Sequence, residues 1–388
     1  MGKNKKFTLR VVKFGGTCVD TPQKMLTSAY ACKNRIEEGE KLLVVLSAKR
    51  GRTDELIKFT EMVASGDMDR FMDVLVLGEI ESCRIFRHVL EDMGVKARVI
   101  EPSSTLWPVW LKNGELWKEK TEEKRKKLGK MLEAYDVLIF PGFVAREKGK
   151  RLVSLGRGGS DVSAFLLARI FGADEVIIVK DVPGVYQADP KLFKTSKIKV
   201  ITADELSTLS SLGAKVLHPD ALSYKKKSIR ARIIHHGEDL MKEGTFIDGE
   251  VKREISVSSS PLSLITIHYG DEFPAGIFEC LSSYEIYGIS MGSSYLGIYV
   301  KEEVSDKIAR KFLDFFPQHR IVKKDGIGMV VLKKKTARDR PGLINKVTEI
   351  LARHGINLVE LSSIGREIIL YVSFNDLGRV LNLLTKYG

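Results

Sequence analysis

The chain has 388 residues, 44% hydrophobic and 29% charged, with 63 Lys+Arg against 50 Asp+Glu and a formal net charge of +13. That length predicts two or three domains rather than one core. No apolar run approaches the ~20 residues of a bilayer span, the basic start leads into no signal-type apolar segment, and a soluble cytoplasmic protein is expected. The basic residues are dispersed in short runs (124–127, 225–227, 333–335) without an aromatic–basic module, so no nucleic-acid partner is expected. Cys18, Cys32, Cys83 and Cys280 form no CxxC pair and no His cluster has metal-ligand spacing, so the thiols are expected reduced and no protein-held metal is expected.

Along the chain, residues 9–14 are β-branched and apolar and stop at Gly15-Gly16, a buried strand entering a tight loop. Asp20 or Thr21 caps a helix with Pro22 in its first turn, running to about 38. A buried strand follows at 42–46, then helices at 53–64 and 69–92 and a strand at 96–100. Asn113-Gly114 predicts a hairpin within 106–117, whose three tryptophans are expected to pack rather than bind. A helix at 121–133, a strand at 137–140, a helix at 160–171 and a strand at 176–179 complete the alternation. It predicts an α/β domain with a mostly parallel sheet covered by helices on both faces.

After about residue 250 the plan changes. A strand at 264–268, a helix at 273–281 and a strand at 296–300 are followed by strand 329–333, helix 341–354, strands 357–361 and 367–372, and helix 376–384. The second series is a βαββα unit and the first a degenerate copy, an internal repeat of α+β units. The expected domains are 1–250, 251–322 and 323–388.

Four motifs carry chemistry. Lys13-Phe14-Gly15-Gly16-Thr17 ends the first strand, where glycine admits close phosphate approach and lysine supplies a point charge. Leu155-Gly156-Arg157-Gly158-Gly159-Ser160-Asp161 runs into a helix, with Ser160 or Asp161 as its cap, Arg157 as a fork for a carboxylate, and the helix N-terminus favouring an anion. Lys180-Asp181-Val182-Pro183-Gly184-Val185-Tyr186-Gln187-Ala188-Asp189-Pro190-Lys191 leaves a buried strand at its carboxyl end, where α/β sheets bind ligands. Gly213-Ala214-Lys215-Val216-Leu217-His218-Pro219 brings another lysine, and His218 before proline is expected to start a helix rather than to catalyse.

In this order the motifs resemble those of the aspartate kinase family, within the wider amino-acid kinase fold. Ser47-Ala48 with Thr53-Asp54, and Gly78-Glu79 followed by Ser82, match two lesser marks. The two tail units look like ACT domains, for which Arg340-Pro341-Gly342 and Gly355-Ile356-Asn357-Leu358 are typical. The resemblance implies ATP-dependent phosphorylation of the side-chain carboxylate of L-aspartate to 4-phospho-L-aspartate, the first step of lysine, threonine and methionine biosynthesis. Mg2+ would be held mainly through the nucleotide phosphates. By the same resemblance Lys13, Asp181 and Lys215 are catalytic, with Asp181 holding the lysines in place. Lys13, Gly15, Gly16, Lys180, Asp181, Tyr186, Lys191, Lys215 and Val216 bind nucleotide. Ser47, Thr53, Glu79, Arg157 and Ser160 bind the amino acid, Arg157 at its α-carboxylate and Glu79 at its α-ammonium. The ACT-like units imply an amino-acid effector and a homodimer or higher homo-oligomer.

Two other readings stand beside this one: the same fold acting on another small amino acid such as homoserine or glutamate, and a catalytically silent amino-acid sensor. The chain departs from the family pattern at Cys18 (usually Ser), Val153-Ser154 (Thr-Thr), Lys180 (Thr), Pro183 (Asp), Lys191 (Arg) and Tyr287-Gly288-Ile289 (Gly-Ile-Asn).

Overall fold

The computed structural model describes residues 7–65, 68–112, 114–182, 184–186, 195–211, 216–251, 254–270, 273–333, 342–364 and 367–387. The chain divides into two compact units, Met1–Val251 and Lys252–Gly388.

The first unit runs β1 (Leu9–Phe14), α1 (Pro22–Glu37), β2 (Lys41–Leu46), α2 (Arg52–Val63), α3 (Met72–Leu75), α4 (Leu77–Asp92) and β3 (Ala97–Val99). It continues with β4 (Leu111–Lys112), β5 (Glu115–Leu116), α5 (Lys118–Ala134), β6 (Val137–Pro141), β7 (Val144–Arg146), β8 (Leu152–Ser154), α6 (Gly159–Phe171) and β9 (Glu175–Lys180). It closes with β10 (Val200–Thr202), α7 (Ala203–Ser211), α8 (Pro219–Leu222), β11 (Arg230–His235) and β12 (Thr245–Asp248).

Among the described residues, eight strands form one sheet in the order β10-β12-β11-β9-β1-β2-β6-β3. Every neighbouring pair is parallel except β11–β12. Successive residues of the central strands divide between two cores, as the period of two requires. Leu9, Val11, Leu43, Val45, Leu138, Phe140, Val176 and Ile178 pack with α5 and α6. Val12, Phe14, Leu42, Val44, Leu46, Ile139, Ile177 and Val179 pack with α1 and α4. Burial on both faces is why these strands read as continuous apolar runs. The first helix starts as expected, with Thr21 Oγ1 accepting from the Lys24 N–H at 3.3 Å and Pro22 in the first turn.

A buried charge ladder crosses the strand starts at the other end of the sheet. Glu175, 2% exposed, accepts from Arg10 on β1 and, at 2.8 Å, from Arg232 on β11. Arg10 also holds Glu40 at 2.7 Å. Two cations therefore flank one carboxylate that water scarcely reaches.

Several elements differ from expectation. The helix anticipated over 69–92 is broken at Val76 into α3 and α4, which lets the start of α4 turn toward the end of β2. The hairpin β7–β8 and strands β10, β11 and β12 differ from the expected alternation: β7, β8, β10 and β12 are only three or four residues long, and β11 is interrupted by Arg230 and Arg232.

The second unit runs β13 (Glu254–Val257), β14 (Leu262–His268), α9 (Ile277–Leu281), β15 (Ile286–Met291), β16 (Tyr295–Lys301) and α10 (Glu302–Phe315). It continues with β17 (Arg320–Lys333), α11 (Leu343–Arg353), β18 (Leu358–Ile364), β19 (Glu367–Ser373) and α12 (Leu377–Tyr387). Its sheet has the order β15-β16-β14-β17-β19-β18, with β13 also on β17. The helices cover one face in two clusters, α9 and α10 over β14 and β16, α11 and α12 over β17 and β19. On the opposite face Tyr299 and Tyr371 stack with ring centroids 3.6 Å apart, and Tyr299 Oη donates to Glu360 at 2.8 Å. Strand β15 and helix α10 complete the series expected to be degenerate. The expected boundary at 322/323 falls inside β17, which pairs with β14 over its first half and with β19 and β13 over its second. By pairing, β13 belongs with the second series although it precedes the first. Among the described residues no helix is long and apolar enough to cross a membrane.

Candidate active site

Strand β1 lies between β2 and β9, so the chain leaves it toward one side and later returns on the other. Such a switch point opens a crevice beyond the carboxyl ends of the strands. Phe14, Leu46 and Val179 lie level there. Strand alternation then decides which side chains meet. Lys13 follows Val11 and Lys180 follows Ile178 onto the α6 face. There Asp161, in the first turn of α6 and 3% exposed, receives both: Lys13 Nζ at 2.6 Å and Lys180 Nζ at 3.2 Å. Burial opposes ionisation of Asp161, but the two ammonium groups overcome it and hold its carboxyl below the usual range. Burial pulls the Lys180 pKa down against the attraction of Asp161.

Lys13, one of the lysines that Asp181 was expected to hold, is thus paired with Asp161. Asp181 lies one residue past β9, with its side chain 58% exposed and 3.7 Å from Arg50. It has left the strand, and with it the face on which the lysines lie. The sequence suggests Asp161 only as a helix cap; its pairing follows from the face that Lys13 and Lys180 share.

The loop after β1 turns tightly. A Cβ on Gly16 would lie 2.5 Å from Ala48 O, so only glycine fits between the ends of β1 and β2. Gly15 N–H makes a long 3.4 Å bond to Val179 O, and Cys18 N–H donates to Gly15 O at 2.9 Å. The Cys18 thiol, 3.6 Å from that same carbonyl of Val179, is buried, and burial pushes its pKa up.

On the other face, Glu79 stands in the first turn of α4, 4% exposed. Its Oε2 has no hydrogen-bond partner among the described residues. Burial pushes its pKa up to about 7, against opposing hydrogen bonds from the backbone of Ala48 and of Glu79 itself. Ser47 follows β2, its N–H on Phe14 O at 3.3 Å, and Thr53 is half-buried in the first turn of α2.

The loop from β8 to α6 brings the second and fourth motifs together. Gly158 has φ +67°, and a Cβ there would lie 2.2 Å from His218 Cβ. His218 caps α8, its Nδ1 accepting from Asp220 N–H at 3.3 Å with Pro219 next, the helix-starting role expected of it. Ser160 is buried, whereas Arg157 is exposed and has no ion pair to another described residue. Tyr186 is half-buried and forms an isolated antiparallel bridge with Lys197. Val216 is half-buried; Lys191 and Lys215 lie outside the described residues. Phe143, not singled out from the sequence, holds φ +68° two residues after β6, its N–H on Ser163 Oγ of α6 at 2.9 Å. A non-glycine residue in that region stores about 1–3 kcal/mol of strain.

Residues 8–235 match the amino acid kinase family and residues 334–384 the ACT domain. Aspartokinase 2 of Bacillus subtilis (strain 168) is 26% identical over 97% of this chain and 96% of its own length. Among solved structures, aspartate kinase from Synechocystis matches with a TM-score of 0.78 at 23% identity, over 98% of this chain and 69% of that one. E. coli aspartokinase III, solved with aspartate and ADP and again with lysine and aspartate, gives TM-scores of 0.54 and 0.55 at 21% and 22% identity, each over 98% of this chain and 99% of that one. The family match covers more than half the chain and includes Lys13, Glu79, Asp161 and Lys180. The chain belongs to the amino acid kinase family.

Proposed function

We infer that this protein is an ATP-dependent aspartate kinase, forming 4-phospho-L-aspartate. The observation that carries the reading is the pair of lysines on Asp161 at the carboxyl ends of β1 and β9, beside the Gly15-Gly16 turn. The full-length likeness to an aspartokinase supports the choice of acceptor.

The chemistry suits these residues. An acceptor carboxylate is already anionic at neutral pH, so the site needs alignment and charge neutralisation rather than a strong base. Lys13 would neutralise charge on the transferring phosphoryl group, with Lys215 from the fourth motif opposite it and the loop of Gly15 and Gly16 close to the phosphates. Tyr186, Lys191 and Val216 would complete the nucleotide pocket. Glu79 would take the α-ammonium in a pocket where its Oε2 otherwise lacks a partner. Arg157, unpaired among described residues, would take the α-carboxylate, with Ser47, Thr53 and Ser160 around it.

Among the described residues no group of three or more His, Cys, Asp or Glu side chains is placed to hold a metal ion. Magnesium would be carried on the nucleotide phosphates, and the exposed Asp181 could hold a water of its shell. Bound there, the ion would add charge neutralisation at the phosphoryl group.

The ACT-like units would sense an amino acid, since E. coli aspartokinase III binds lysine. Edge strand β15, with Ile289 and Met291 46% and 68% exposed, would contribute to a homodimer. The direct test is ADP release from Mg·ATP with aspartate, glutamate or homoserine, with hydroxylamine trapping the acyl phosphate. Aspartate should give both signals. Turnover with another acceptor alone would reassign the substrate, and no turnover with any would remove the enzyme reading.

A further inference from the structure

Lys180 stands where the resembling family commonly has threonine, so its ammonium group is an addition. Two ammonium groups on one carboxylate leave the cluster with a surplus positive charge. The side chains concerned are 7%, 18% and 4% exposed for Lys13, Lys180 and Asp161. Surplus charge in so poorly hydrated a place attracts an anion strongly.

The two contacts are unequal. Lys13 makes the shorter one, 2.6 Å, and is the more buried. Lys180 makes the longer one, 3.2 Å, from a more exposed side chain. Its four-carbon stem lets the ammonium re-aim without moving β9. Lys13 Nζ lies 3.8 Å from the Cβ position of Gly15, so the cluster adjoins the turn where phosphates are expected.

We propose that Lys180 is a second phosphate-directed lysine, which exchanges Asp161 for the terminal phosphates of the nucleotide and leaves Asp161 to orient Lys13 alone. The proposal rests on the kinase reading above. Burial already disfavours the charged form of Lys180, so a polyanion supplies the counter-charge that solvent does not. The competing account is purely structural: Lys180 only helps to neutralise Asp161.

Lys180→Met and Lys180→Arg, made in the full chain, separate the two. Calorimetric titration with ADP and AMP and steady-state kinetics in ATP are the measurements. Lys180→Met should weaken ADP binding and raise KM for ATP by about 10–100-fold, the loss of a charge-assisted contact. It should leave AMP affinity within about 2-fold, and Lys180→Arg should restore most of the ADP affinity. Unchanged ADP affinity and KM in Lys180→Met, with or without a fall in kcat, would overturn the proposal. Should Lys180→Met fail to fold, Lys180→Thr carries the same comparison. A wild-type chain that binds no ADP and turns over no ATP defeats the kinase reading; equal ADP binding by wild type and variant defeats only the role of Lys180.

Discussion

Glu79→Gln offers the sharpest test of the acceptor pocket, because it can be read without any substrate. The carboxyl is 4% exposed, Oε2 has no partner among the described residues, and burial carries its pKa to about 7 from an ordinary 4.5. The direction of the linkage follows. With its pKa raised in the native state, Glu79 holds its proton more tightly folded than unfolded across that window. Its contribution to stability is therefore complete below about pH 4.5 and is lost as pH rises through about 7. At about 1.4 kcal/mol per unit, full ionisation costs roughly 3 kcal/mol. Cys83, on the same helix, is the titratable neighbour whose own pKa responds to Glu79, and among the described residues no cation offsets the burial. The assay is urea unfolding from pH 5 to 8, followed by fluorescence of Trp107, Trp110 and Trp117, which all lie in the first unit. Wild type should lose about 2–3 kcal/mol relative to Glu79→Gln over that range, and aspartate should recover part of the loss in wild type alone. If the two stability curves run parallel, Glu79 ionises as an ordinary surface carboxyl and the pocket has no need of an ammonium.

Other consequences are as direct. Lys13→Ala should lower kcat by about two to three decades, as removal of a charge aimed at the developing transition state does, measured by ADP release. Gly158→Ala adds a methyl group 2.2 Å from His218 Cβ at φ +67°; it should destabilise the first unit by about 2 kcal/mol or more in urea unfolding and lower activity by shifting the start of α6. Glu175→Ala leaves Arg232 buried without an acidic partner among the described residues, and Arg10 with Glu40 alone; it should cost about 3–5 kcal/mol, while KM for ATP in the surviving folded fraction stays near wild type.

Legibility from sequence followed burial. Strands β1, β2, β6 and β9 are covered on both faces, so their apolar runs are unbroken and their limits came out close to those observed. Strand β11 carries Arg230 and Arg232, and β7 carries Arg146; charges with distant partners hide a strand from any local pattern. Helix α10 was missed although strongly amphipathic, because it follows β16 without an intervening turn signal, Lys301 ending one element and Glu302 beginning the next. In the site, Lys13, Lys180 and Glu79 were readable from motifs at element ends. The role of Asp161 was not, because it depends on which faces of β1 and β9 look toward α6, a property of the sheet as a whole.

The long strand β17 has a consequence for how the second unit is assembled. Its early residues complete the pairing with β14, and its late residues receive β13 and β19. The Glu254–Val257 segment, made first, must wait for Val330–Lys333 before it has a partner, so the later half closes around an earlier half already built. No single cut between β13 and β17 yields two self-sufficient pieces: each excised fragment would carry an orphaned ladder edge, a ready template for self-association. The nesting also makes one continuous hydrogen-bonded strand common to both halves, so neither can slip its register without disturbing the other.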